Sequence, residues 1–185
     1  MRITAGIFRG RTLAVPKSGV IRPTQDRVRE AIFNILQPEI AGAVFLDLFA
    51  GSGAVGIEAV SRGAACATFV ERDRRHVEVL SSNLVALGLC VPRASVSPGD
   101  VYRWIENYSG NGYTIVFADP PYALGEEKGY AGVLATLAER GVVRPGGLFV
   151  AEMTSVQKAE ETPGWDLLRD RTYGKTRIVI WRRTS

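Results

Sequence analysis

The sequence predicts an α/β domain built on a doubly wound, mostly parallel seven-stranded sheet, with an antiparallel C-terminal hairpin and a small N-terminal β-hairpin extension. Three observations carry that expectation. From Ala43 onward, short β-prone apolar runs alternate with helical patterns. A glycine turn, Gly51-Ser52-Gly53, separates the first of these strands from a helix of small residues. The second strand closes on Glu71, 20 residues after Gly51, the spacing at which an acidic side chain reaches the ribose hydroxyls of a bound nucleoside. A backbone freed of side chains, followed by the positive end of a helix, is suited to close approach of a ligand, so a nucleoside-containing cofactor is expected at this turn.

Taken in order, Ile3 to Ala5 and Thr12 to Val15 are two short strands flanking a Gly-containing connection, with Phe8, Arg9 and Arg11 near its tip. Pro16 to Gly19 form a linker. A helix follows from Pro23, with Val28, Ile32, Ile35 and Leu36 on one face, Thr24 as its N-cap and Pro38 as its stop. Strands are expected at 43–48, 66–70, 94–97, 113–118 and 147–152. Helices fall between them at 54–62, where Gly63 ends the helix, and at 73–87, 101–107 and 130–140. Arg144-Pro145-Gly146-Gly147 has the composition of a turn. No helical pattern separates Trp165–Arg171 from Thr176–Arg182, so these two runs should pair antiparallel across Thr172 to Lys175. Residues 1–22 are thus expected as a basic extension and 23–185 as the main domain.

A chain of 185 residues, 46% hydrophobic, suits a single core. Its apolar runs, such as Val85 to Val91, fall far short of the ~20 residues of a membrane span. No charged-then-apolar leader opens it, and a soluble, cytoplasmic protein is expected. Cys66 and Cys90 form no CxxC pair, and His76 sits among charged residues, so neither disulfide nor metal chemistry is indicated. Charge is uneven: residues 1–29 carry a net +6, residues 165–185 a net +4 and the segment between them −6. Basic ends around an acidic middle suit a polyanionic partner.

The apolar run Tyr113 to Ala118 ends in Asp119-Pro120-Pro121-Tyr122, at the carboxyl end of a strand, where open α/β sheets bind ligands. Together with the glycine turn, this tetrapeptide resembles that of S-adenosylmethionine-dependent methyltransferases acting on an exocyclic amino group of a nucleobase. Such an amine is a poor nucleophile, because its lone pair is delocalised into the ring. Consecutive prolines fix the backbone and leave Pro120 a carbonyl without an N–H, so the Asp119 carboxylate and that carbonyl can both accept from one –NH₂. Two acceptors out of the ring plane favour a pyramidal nitrogen and stabilise the charge that develops on it. Tyr122 can stack on an extruded base. Neither a metal nor a covalent nucleophile is required, and Asp119 is the candidate base if one is used.

Three further blocks narrow the resemblance: Arg2-Ile3-x-Ala5-Gly6-x-Phe8-Arg9-Gly10-Arg11, the run Arg22 to Asn34, and Leu46-Asp47-Leu48-Phe49-Ala50-Gly51-Ser52-Gly53. They resemble the RsmD family of bacterial 16S ribosomal RNA guanine-N2 methyltransferases. The resemblance implies a Rossmann-like class I methyltransferase fold, S-adenosylmethionine as cofactor and 16S rRNA as partner, in the small subunit or an assembly intermediate. By the same resemblance, Asp47 and the Phe49 to Gly53 backbone hold the methionine end, and Glu71, followed by Arg72, takes the ribose. Asp100 with Val101 meets the adenine, although an aspartate opening a helix is equally accounted for as its N-cap. Thr24 and Asn34 belong to the helix capping the methionine pocket. Phe8, Arg9, Arg11, Lys17 and Arg22 are the expected RNA contacts.

Two other enzymes use parts of this pattern. A nicotinamide oxidoreductase would use the glycine turn but leave Asp119 to Tyr122 without a role. A DNA adenine-N6 methyltransferase shares the tetrapeptide, yet the chain has no identifiable segment for reading a duplex. A non-catalytic RNA-binding module on the same fold is a third possibility.

Overall fold

The structure, a computed structural model, describes residues 1–16, 23–120, 129–159 and 161–184. Lys17, Arg22, Pro121 and Tyr122 lie outside them, as does the Thr24 side chain. In chain order the elements are α1 (Pro23–Leu36), β1 (Val44–Leu48), α2 (Ala54–Ser61), β2 (Cys66–Glu71), α3 (Arg74–Ala86) and β3 (Ala94–Pro98). Then follow α4 (Val101–Glu106), β4 (Tyr113–Ala118), α5 (Gly129–Glu139), β5 (Val143–Thr154), β6 (Trp165–Tyr173) and β7 (Thr176–Arg183). α1 begins on proline, whose missing N–H costs nothing at that position, so Thr24 lies within the first turn and is not the cap expected of it.

The sheet has seven strands in the order β3-β2-β1-β4-β5-β7-β6, parallel through β5 and antiparallel beyond it. The chain winds outward from β1 to β3, then crosses back to lay β4 on the other side of β1. Loops leaving the carboxyl ends of β1 and β4 therefore diverge, and a crevice opens between them. No helix among the described residues is long and apolar enough to cross a membrane.

Alternation along the strands divides the core into two layers. Phe45, Phe69, Phe117 and Val150 face α1, α2 and α3, against Ile32, Phe33, Ile57 and Leu80. Leu46, Val116, Phe149 and Trp181 face α4 and α5, against Ile105, Leu134 and Leu137.

Two sequence expectations change in detail. Arg144 to Gly147 do turn, but as a bulge inside β5: Tyr113 pairs with Val143 and Ile115 with Leu148, an advance of two residues against five. At the C-terminus, Tyr173 pairs with Thr176, so the hairpin turn shortens to Gly174-Lys175, with Gly174 at φ 62° as a two-residue II′ turn needs.

The N-terminal hairpin is curtailed to one bridge, Arg2 to Thr12. The reason lies in where its amides go. Thr4 N and Ala5 N donate to the Glu58 carboxylate of α2, at 2.9 and 3.0 Å, not to an opposing strand. Glu58 is fully buried; it also accepts from the Thr4 hydroxyl (2.6 Å) and from Arg62 Nε (2.7 Å). Ser61 adds a second clip, donating to Ala5 O and accepting from Phe8 N. Ile3 and Leu13 consequently enter the same core layer as α1 and α2.

Glu58→Ala would leave the charge of Arg62 without its counter-ion and two amides unpaired in a closed site, and breaking a buried ion pair from one side costs about 3–5 kcal/mol. Urea unfolding checks this; a loss below about 1 kcal/mol would show that the network does not hold the segment.

Candidate active site

Asp47 stands on the same sheet face as Phe45, one residue before the carboxyl end of β1, and is 1% exposed. Its Oδ2 accepts from Gly56 N at 2.8 Å, satisfying one of the amides that the first turn of α2 leaves without a partner. Burial pushes its carboxyl up to about 8, against the pull of the Gly56 N–H and with smaller contributions from the charges of Asp119 and Glu71.

Between Asp47 and α2 the backbone takes a run of unusual dihedrals. Phe49 has φ 62°, a left-handed conformation costly for an aromatic residue, followed by Gly51 at 56° and Gly53 at 80°. The glycines serve different ends. A Cβ on Gly53 would stand 2.2 Å from Leu80 Cδ1, and one on Gly56 2.3 Å from the Phe69 ring, so both allow helix and sheet to close. Nothing lies within 4 Å of a Cβ on Gly51, which needs glycine for its dihedral and stands open to the cleft. Glu71 braces the turn from behind: Oε2 accepts from Gly51 N and Oε1 from Asp73 N, each at 2.8 Å. Asn83, buried in α3, accepts from Ala14 N and donates to Ala14 O and Ser52 O, tying the N-terminal segment to the turn.

The turn floors a cleft of about 240 Å³. One wall is Met1, Val15 and Pro16 with Arg29 and Ile32 of α1; the other is Asp119 and Glu152 at the ends of β4 and β5. Asp119 keeps accessible surface at the mouth, but protein surrounds its inner side, and that dehydration pushes it up to about 6. Glu152 is pushed up to about 8, first by burial and then by the charge of Asp119. Arg29, the one side-chain cation lining the cleft among the described residues, is turned to Asp26, Glu58 and the Arg2 carbonyl. What remains is a face of carboxylates, suited to cations and hydrogen-bond donors.

The structure thus gathers Asp47, Phe49, Ala50, Gly51, Ser52 and Asp119 around one cleft, with Gly53 beneath it and Glu71 behind. Asp100 caps α4, its Oδ1 accepting from Tyr102 N and Arg103 N, and Val101 is buried; the Phe49 and Tyr102 rings meet edge to face. Arg72 and Asn34 are exposed and do not line the cleft; from α1 it is Arg29 and Ile32 that do. Phe8 packs partly on the core, Arg9 is exposed, and Arg11 donates to the Ala86 carbonyl at the end of α3. Glu152 and Asn83 were not anticipated. Glu152 had a signal, an acid closing an apolar strand as Glu71 does; Asn83, mid-helix, had none.

The profile of the family described as conserved hypothetical protein 95 matches residues 1–182. The ribosomal RNA small subunit methyltransferase D of Escherichia coli K12 is 38% identical over 188 residues, covering 100% of this chain and 91% of that one. The chain belongs to this family, the RsmD family. Its namesake in Haemophilus influenzae is also 38% identical, over 98% of this chain and 92% of its own. Among solved structures, the yhhF protein of Escherichia coli superposes with a TM-score of 0.87 at 36% identity, covering 100% of this chain and 98% of that one. RsmD-family membership makes the protein a methyltransferase, and the carboxylate-lined cleft is its candidate centre.

The raised carboxyls have a thermodynamic consequence. Asp47 binds its proton more tightly folded (about 8) than at its ordinary value of 3.8, so stability is lost as pH rises through that window and levels off above it. Asp47→Asn can still accept from Gly56 N but cannot ionise. Its melting temperature relative to the unsubstituted protein should therefore climb from pH 5 to pH 8 in the absence of ligand; a pH-independent difference would contradict the assignment.

Proposed function

We propose that this cleft binds S-adenosylmethionine and directs its methyl group to the exocyclic 2-amino group of a guanine in small-subunit ribosomal RNA. The observation that carries the proposal is the placement of Asp119, directly after β4, across the cleft from the glycine turn. Bound there, S-adenosylmethionine supplies an electrophilic methyl on a sulfonium. The residues present suit it: a carboxylate face meets its positive charge, and the open side of Gly51 leaves room for backbone approach. Asp47 and the 49–52 backbone take the methionine end. Glu71 takes the ribose hydroxyls with the lone pairs its two backbone donors leave free. Asp100 and Val101, at the opening of α4, are proposed to meet the adenine, as the family resemblance implies.

Asp119 accepts from the target amine, together with the Pro120 carbonyl, and holds the positive charge that grows on the nitrogen. The same carboxylate is placed to receive the proton the methylated amine releases. RNA as the substrate rests on the relatives named as ribosomal RNA small subunit methyltransferases and on the basic termini of this chain. The N-terminal segment is proposed to carry phosphate contacts through Arg9 and Arg11, beside the half-buried Phe8. Arg11 spends one bond on a neutral carbonyl, which leaves its charge available.

Asp119→Ala should abolish methyl transfer while leaving the affinity for S-adenosylmethionine within a few-fold. Glu71→Ala should instead raise the KM for S-adenosylmethionine about tenfold or more, through a lost charge-assisted hydrogen bond of about 1.5–3 kcal/mol. Steady-state kinetics on the two variants decides it; the same defect in both would refute this division of roles.

Replacing Arg9 and Arg11 by Ala should lower the slope of log K against log salt for RNA by about 0.7 for each single-strand phosphate that is no longer neutralised. Cofactor binding should not change. An unaltered slope with a lower melting temperature would assign the pair to stability alone.

A further inference from the structure

Glu152 has no role in the chemistry so far, yet its position is constrained. Ala118 of β4 pairs with Ala151 of β5, so Asp119, directly after β4, and Glu152, within β5, stand at the same level of adjacent parallel strands. They also share a face. Phe117 and Val150 both point into the layer beneath α1 and α2, and two residues on, Asp119 and Glu152 point the same way into the cleft. Strand spacing then puts the two backbones about 5 Å apart, with both side chains on the same face. Glu152 is not a loop residue free to swing aside: its strand is paired with β7 through Ile178, and the Tyr130 hydroxyl donates to its carbonyl. Among the described residues no side-chain cation claims it, since Arg29 across the cleft is engaged by Asp26 and Glu58.

We propose that Glu152 selects the base, its carboxylate accepting from guanine N1–H while Asp119 holds the neighbouring 2-amino group. This rests on the guanine-N2 reading above. On guanine, N1–H and the 2-amino group are adjacent donors on one edge, and two carboxylates side by side are matched to adjacent donors. Adenine presents a lone pair at N1 instead. An ionised carboxylate there repels it, which is discrimination by an unfavourable contact as well as a favourable one. The positive charge of the cofactor in the same cleft holds both carboxylates in the ionised form that accepting requires. Asp119-Pro120 alone treats any exocyclic amine alike; the strand beside it supplies the distinction.

The test uses small-subunit particles reconstituted with RNA carrying either guanine or 2-aminopurine at the methylated position. 2-Aminopurine keeps the 2-amino group and has a lone pair at N1. The unsubstituted enzyme should favour guanine by at least about tenfold in kcat/KM. Glu152→Ala should lose at least that factor on guanine and nothing on 2-aminopurine, with S-adenosylmethionine affinity, by isothermal titration, weakened only a few-fold by the loss of one facing charge. Glu152→Gln, which conserves shape should the alanine variant fail to fold, should gain on 2-aminopurine, because its amide can donate to N1. Equal losses on both bases in either variant would overturn the proposal, and so would a tenfold weaker affinity for S-adenosylmethionine, which would place Glu152 in the cofactor site. Failure of the underlying reading looks different: the unsubstituted enzyme would yield no N2-methylguanosine from the guanine particle.

Discussion

Everything the cleft does depends on holding a strained backbone between β1 and α2, and two buried carboxylates hold it. Asp47 binds Gly56 N from the strand below and Glu71 binds Gly51 N from the strand beside it. Between those anchors the chain can sustain a left-handed Phe49 and two left-handed glycines, conformations that would relax if the amides were free. The cost is electrostatic. Asp47 is dehydrated and lies near the charges of Glu71 and Asp119, so its carboxyl holds its proton to about 8. A ligand that brings positive charge relieves that condition, which couples the stability of the empty protein to the affinity of the site.

The far wall is held by a different means. The first sixteen residues cross over α2 and are fastened by Glu58, Ser61 and Asn83, side chains doing what a strand ladder would otherwise do. Asn83 is the hinge between the two arrangements, since it bonds both Ala14 and Ser52. Met1, Val15 and Pro16 can line the cleft because of these clips. The segment is thus part of the pocket as well as the place where basic residues concentrate.

The alternation of strands and helices was legible because apolar periodicity survives without tertiary information, and the observed elements begin and end within a residue or two of expectation for β1 to β4. β5 was foreshortened because Pro145-Gly146-Gly147 signals a turn whether the chain leaves the sheet or bulges within it. The N-terminal hairpin was overextended because its amides are claimed by Glu58, 54 residues away from Thr4, and no local pattern carries such a pairing. In the site, the glycine turn and Asp119 were visible as motifs. Glu152 had only the signal of an acid after an apolar run, which the register of β4 on β5 turns into a place beside Asp119, and Arg29 became visible only when the packing of α1 brought it to the same cleft.

The central claim is that this cleft delivers a methyl group to the 2-amino group of guanine. Its most direct test is mass spectrometry of the nucleosides released from small-subunit ribosomal RNA after incubation with the protein and isotopically labelled S-adenosylmethionine. The account predicts label in N2-methylguanosine, dependent on Asp119. Label in N6-methyladenosine, or no transfer from S-adenosylmethionine at all, would contradict it.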